Sequence, residues 1–134
     1  MKIPGFGRSV AIVAQTRVNP SEDHYKVADA IKNVLPSLDP ILHDKEILEA
    51  HSVEERTLHH IYEQVRQRRT SAAFRKIMLR NSTESSTWMH LNKQAATVGV
   101  VVVCEDASES PLGPIILRIT ANPIVDLIDW LVPQ

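Results

Sequence analysis

Residues 87–105 read TWMHLNKQAATVGVVVVCE. Thr87, Met89 and Leu91 alternate with Trp88, His90 and Asn92, the period of two that a half-buried strand requires. VVVVCE, starting at Val100, reads as a second strand, apolar on both faces. After the polar turn DASESPLGP, the run IILRIT reads as a third. Three strands in succession, preceded by helical patterns, predict an α+β chain whose sheet is backed by helices. The connection LNKQAATVG, residues 91–99, does not look like a hairpin turn, which would carry Asn-Gly or Asp-Gly. Ala95, Ala96 and Gly99 permit close backbone approach, and Asn92, Lys93 and Gln94 supply donors at a strand end. Such a segment either holds a ligand on a rigid element or satisfies the backbone where two strands part. The structural reading comes first, because buried backbone groups must be paired wherever they fall.

Upstream, SVAIVAQTRV places Val10, Ile12, Ala14, Thr16 and Val18 on one side and Gln15 and Arg17 on the other, a half-buried strand. NPSE follows, with Asn19 as a cap, Pro20 in the first turn and Glu22 closing a box. Val27, Ile31, Val34 and Leu35 form a helical stripe that stops before Pro36. EILEAH is a short strand, and SVEE pairs Ser52 with Glu55 in a second capping box. Leu58, Ile61, Tyr62 and Val65, then Phe74, Ile77 and Met78, fall at helical spacing. A break is expected near Thr70, where Thr and Ser compete for backbone hydrogen bonds. NPIVDLIDWL repeats the Asn-Pro start, with Ile124, Leu127, Ile128 and Leu131 as its stripe. The order is β-α-β-α-α-β-β-β-α. It describes a two-layer α/β sandwich with a mixed, mostly antiparallel sheet, as one domain over residues 1–134 with its core from about 8 to 133.

The chain has 134 residues, 43% apolar and 23% charged, the mix of a soluble globular protein. Nothing approaches the roughly 18 apolar residues of a membrane span, and MKIPGFGRSV lacks the apolar stretch of a secretory signal. A cytoplasmic protein is expected. Cys104 is the single cysteine, so neither an internal disulfide nor a CxxC site is available. The net charge of −1 lacks the basic surplus usual in a dedicated nucleic-acid binder, so any such role must rest on a local patch.

Such a patch exists. RQRRTSAAFRKIMLR carries Arg66, Arg68, Arg69, Arg75, Lys76 and Arg80 and no acid. It either grips phosphates, with Arg as a bidentate donor, or forms a solvated face paired with acids from elsewhere. Glu55, His59 and Glu63 share one helix face, but no HExxH or distant ligand set accompanies them, and they read as a polar outer face rather than a metal site. Glu105, Asp106 and Glu109 lie in a wet loop, not in the buried setting that a carboxylate acid or base needs. Cys104 has no His or Lys beside it in sequence to activate it and reads as a buried strand thiol. GxGxxG, Walker, GxSxG and kinase motifs do not occur, no cofactor is implied, and aromatics make up only 4%.

LNKQAATVG, with ESPLGPI and the closing IDWLVP, resembles an uncharacterised archaeal family described as predicted RNA-binding or exosome-associated proteins. PSEDHYKVADAIKNVLP looks like that family's Pro-Thr-Glu…Lys-Val…Ala-Ile start, and FRKIMLR looks like its Ala-Arg-Arg…Leu-Arg helix. The likeness runs over residues 10–133. It implies an α/β sandwich similar in fold to the ribosomal protein that binds 5S rRNA, and directs attention to Asn92, Lys93, Gln94, Pro111, Gly113 and Pro114 as motif residues. Where the family carries Ile-Leu-Asp-Thr, this chain reads Thr70-Ser71-Ala72-Ala73, so Ala72 stands in place of the Asp.

Together these features lead to a non-enzymatic module that binds structured RNA or a ribonucleoprotein through Arg66, Arg68, Arg69, Arg75, Lys76, Arg80 and Lys93. The alternative is a dimeric protein-interaction or regulatory module with no RNA contact. A homodimer is expected through the sheet. If helices cover one face only, Trp88, Ile116 and two of the valines at 100–103 would lie open to water, and an apolar patch of that kind marks a contact surface.

Overall fold

The computed structural model describes residues 3–134. Its elements are β1 (Ala11–Arg17), α1 (His24–Val34), β2 (Ile41–His43), β3 (Ile47–Ser52), α2 (His59–Gln67), α3 (Ser71–Arg80), β4 (Ser86–Leu91), α4 (Lys93–Ala96), β5 (Val103–Cys104), β6 (Ile115–Thr120) and α5 (Ile124–Leu131), with short 3-10 turns at Glu55–Leu58 and Ala107–Glu109. The strands form one sheet in the order β2-β3-β1-β6-β4-β5. Every pairing is antiparallel, so the sheet is not mixed. The fold is α+β, as the alternation of helical and strand patterns predicts.

The alternation in β1 is realised residue by residue. Val10, Ile12, Ala14, Thr16 and Val18 are all buried and Arg17 is exposed. On the same side of the sheet lie Leu48 and Ala50, Met89 and Leu91, and Ile115, Leu117 and Ile119. The helical stripes Val27/Ile31/Val34, Ile61/Val65, Phe74/Ile77/Met78 and Ile124/Leu127/Ile128/Leu131 join them in one cluster. All the helices therefore cover one face of the sheet and leave the other open.

Three local expectations are corrected, and one strand is added. The Asn19 box does not start α1. Asp23 is the N-cap, accepting from the Tyr25 amide at 2.9 Å, and Asn19 and Glu22 close a separate turn before it. Ser52 ends β3 rather than capping a helix with Glu55. The Glu55 carboxylate instead accepts the amides of Phe6 and Gly7 at 2.7 and 3.1 Å. The short strand β2 pairs with β3 although ILH is too brief to show a period. Finally, VVVVCE is not one long strand. A turn of helix, α4, follows Leu91, so pairing resumes only at Leu91↔Val103 and His90↔Cys104. The amides of Val100 and Val101 bond instead to Ala95 O and to Gln64 Oε1. Val101 is in the core, Val103 packs against it, and none of the four valines is exposed. The apolar patch expected on the open face is smaller for that reason.

The break near Thr70 is present. Arg69 takes a left-handed φ of 54°, and the Thr70 amide bonds back to Val65 O at 3.0 Å. This return ends α2 and re-aims α3, a role for which glycine is the usual residue.

In the turn before β6, Leu112 and Gly113 have φ of 66° and 89°. A Cβ on Gly113 would meet nothing within 4 Å, so substitution there tests the backbone alone. Gly113→Ala should lower stability by about 1 kcal/mol, and Gly113→Val by more. Urea unfolding measures both, and an unchanged midpoint would show that the turn does not need glycine.

Candidate functional site

Three motifs far apart in sequence meet around one ammonium group. Lys93 opens α4 and is only 2% exposed. Its Nζ donates to Arg17 O at 2.8 Å, Leu112 O at 2.9 Å, and Glu22 Oε1 and Oε2 at 3.1 and 3.3 Å. The segment around it is equally tied. Asn92 caps α4 through the Ala95 amide at 2.9 Å and reaches Glu109 O. The Lys93 amide donates to Ser110 Oγ at 2.9 Å, and Gln94 Nε2 to Pro111 O at 3.4 Å. The SPLGP turn is held by Ser110 Oγ on Gly113 O and by Thr16 Oγ1 on Pro114 O. Asn19 completes the cluster, donating to Glu22 and to Leu112 O. From the helix layer, Asn33 donates to Ala96 O and Thr97 O at the other end of α4. LNKQAATVG is thus a capped helical turn inserted between two strands and saturated by its neighbours. Lys93 is withdrawn from the set of RNA-binding residues, because its donors already meet buried oxygens.

Burial by itself would raise the Glu22 pKa. The Asn19 backbone and side-chain hydrogen bonds, and then the hydrogen bond and charge of Lys93, outweigh it and hold the pKa below its ordinary value.

The basic segment divides in two. Arg66 donates to Tyr62 O, Leu131 O and Trp130 O at 2.8, 3.1 and 3.0 Å, and lies 3.3 Å from the Tyr62 ring centroid. It caps the carbonyl end of α5, where a cation is favoured by the helix dipole. Arg75 donates to Val132 O and pairs with Asp129 at 2.7 Å, its side chain 14% exposed. These two hold the last helix in place, and they too leave the set of free phosphate donors. Arg68, Arg69, Lys76 and Arg80 are exposed. Arg80 pairs with Glu105 at 3.2 Å, both side chains about half exposed, and such a surface pair contributes little.

A groove of about 840 Å³ runs between α2, α3 and Pro133. Arg66, Arg69, Ser71, Arg75 and Lys76 line it, and no Asp or Glu does. Beside it, Arg75 Nε and Thr70 Oγ1 are buried without a hydrogen-bond partner, an uncommon condition in a folded protein. Glu55 and His59 approach to 3.6 Å, but among the described residues no group of three His, Cys, Asp or Glu side chains is placed to hold a metal. Cys104, without a basic neighbour in sequence, faces His90 across β4 and β5. Burial, and secondarily the Glu109 carboxylate, raise its pKa, so it is a thiol at neutral pH. Among the described residues no helix is long and apolar enough to cross a membrane.

Comparison with known proteins agrees with this architecture. A family model described as RNA binding matches residues 11–121. A UPF0201 protein of Methanothermobacter thermautotrophicus is 34% identical over 123 residues, covering 92% of this chain and 91% of its own length. Another, from Sulfurisphaera tokodaii, is 36% identical over 127 residues, covering 92% and 87%. The crystal structure of the UPF0201 protein from Methanococcus jannaschii superposes with a TM-score of 0.79 at 30% identity, over 92% of this chain and 93% of that one.

The buried pair sets two expectations. Lys93→Met leaves the Glu22 carboxylate and two carbonyls without their donor and should cost about 3–5 kcal/mol. Because the folded pKa of Glu22 is depressed, the stability it contributes is fully present above its ordinary value of 4.5 and is lost as pH falls through the lower folded value. Glu22→Gln should therefore flatten that part of the acid limb. Urea midpoints measured from pH 7 down to pH 3 check both, and an acid limb identical to that of the unsubstituted protein would show that Glu22 is not coupled to folding.

Proposed function

This chain belongs to the archaeal UPF0201 family, matched over most of its length by the family model described as RNA binding, and we propose that it is a non-enzymatic cytoplasmic module that binds structured RNA, free or in a ribonucleoprotein. The observation that carries this reading is the α2–α3 groove. It concentrates exposed Arg69 and Lys76, with Arg68 beside them, and among the described residues no Asp or Glu side chain lines it, in a chain whose net charge is −1. Phosphate contacts supply most of the affinity of such interfaces, and they require cations that are not already paired. Among the described residues Arg68, Arg69 and Lys76 meet that condition, Arg80 meets it in part, and Arg66 and Arg75 shape the groove by anchoring α5.

The second reading, a homodimeric protein-interaction module, would use the open sheet face. Val101 lies in the core and Val103 packs against it, so the apolar surface there is supplied by one residue from each of five strands, Trp88, Ile116, Val13, Ile47 and the exposed Ile41, interrupted by Arg118 and Glu49. The RNA-binding reading therefore stands first.

Binding of an RNA hairpin at increasing salt tests it. The slope of log K against log salt should fall by about 0.7–0.9 for each cation removed, so Arg69→Glu with Lys76→Glu should flatten the slope and weaken binding at low salt. Micromolar or weaker affinity that ignores both changes would remove the proposal. Light scattering on the same samples separates it from the second reading, which requires a dimer.

A further inference from the structure

The open face of the sheet carries a charge pattern that no segment of the sequence displays. Residues directly opposite in antiparallel strands share a face. The register accordingly aligns Trp88, Arg118, Val13 and His51 in one row across β4, β6, β1 and β3. His90, Ile116, Gln15, Glu49 and the exposed Ile41 form the next row, and Arg17, Ile47 and His43 lie beyond it. Two arginines and three histidines thus lie on this face against a single strand carboxylate, Glu49, which His51 Nε2 already holds at 2.7 Å. The other acids stand at the rims: exposed Asp44 and Glu46 in the β2–β3 turn beside His43 and Arg17, and Asp106 and Glu109 beyond β5. There Asp106 partly offsets the burial that lowers the His90 pKa, and Glu109 is engaged by the Asp106 amide. Near the centre, Trp88 is 37% exposed, packs against the His90 ring with centroids 5.1 Å apart and the planes tilted by 48°, and lies opposite the exposed Arg118.

We propose that this face is a stacking platform for single-stranded RNA, with Trp88 receiving a base and Arg118 and Arg17 taking the flanking phosphates. The proposal rests on the RNA-binding reading and adds to it a second surface, on the layer opposite the basic helices. An unpaired strand offers both of the chemistries that the face matches. Its bases present π-faces that stack on an aromatic ring whatever the sequence, and its backbone supplies the negative charge that the face lacks. Arginine suits both neighbours, since its guanidinium stacks on bases and forks onto phosphate. A second copy of this chain fits less well, because pairing would bring together two faces that each carry Arg118 and Arg17 and a single strand carboxylate that His51 already holds. Double-stranded RNA keeps its bases stacked internally and offers Trp88 nothing.

The test uses the full chain with Trp130→Phe, which leaves Trp88 as the sole indole of the two in the sequence. A ten-nucleotide oligouridylate should quench its fluorescence on binding. Trp88→Ala should weaken that oligomer by about tenfold or more, Trp88→Phe should retain most of the affinity, and a blunt-ended RNA duplex should bind Trp88→Ala and the parent alike. That last arm also confirms that the variant is folded. Oligouridylate binding that is indifferent to Trp88→Ala while the duplex still binds would overturn the platform and leave the groove intact. Absence of binding to either RNA would overturn both. A dimer that dissociates in Trp88→Ala would assign the face to a second copy instead.

Discussion

The buried ammonium of Lys93 is the contact on which the rest of the architecture depends. It ties together the end of β1 at Arg17 O, the turn before α1 at Glu22 and the loop before β6 at Leu112 O, from the first residue of α4. An unpaired charge at that depth would be prohibitive, so the four segments must arrive together or not at all. This explains why a helical turn sits where a hairpin would otherwise be. With Asn92 capping it and Asn33 closing its far end, α4 turns Lys93 inward and displaces the valine run so that only Val103 and Cys104 reach the sheet. A buried ion pair of this kind is better evidence of specificity of arrangement than of net stability. It holds one register for the β4–β5 edge, where the sheet has few ladder bonds of its own.

The cations of the chain show a similar division of labour. In sequence, six of them cluster at residues 66–80 and look equivalent. In space, Arg66 and Arg75 fasten the carbonyl end of α5 and the segment after it, and they stand inside the groove wall. Arg68, Arg69 and Lys76 project outward. A helix presents a new face every residue or so, and a packed neighbour takes whichever side chains point at it. The function proposed for the α2–α3 surface thus depends on two arginines that need not touch RNA, because they position the element that forms the other wall.

The open sheet face reverses that situation. Arg17, His43, His51, His90 and Arg118 come from five strands, and no two lie close enough in sequence to register as a cluster. Antiparallel pairing brings them to one side. A chain of near-zero net charge can therefore place unpaired arginines on both layers, while its acids gather in loops such as 105–109 and in partnered positions such as Glu22 and Asp129. Net charge is a property of the whole chain, whereas recognition responds to the local field.

The sequence by itself determined the core and the class of fold. The period-two run in β1 and the stripes of α1, α2, α3 and α5 are written in local spacing, because burial of one face leaves that spacing no freedom, and the break at Thr70 is written in residue type. The motif pair LNKQAA and SPLGP was visible too, together with the preference for a structural role. What only the tertiary structure decided is which polar groups are free. Lys93 and Arg75 read as donors until Glu22, Asp129 and backbone carbonyls from distant segments are seen beside them. Cys104 has no basic neighbour until β4 sets His90 opposite it. The short elements β2 and α4, too brief for any period, likewise owe their form to their partners. Hydrophobic burial is set by a residue's own spacing, but the satisfaction of a charge is set by whatever the fold brings within hydrogen-bonding reach, and that is a property of contacts between segments.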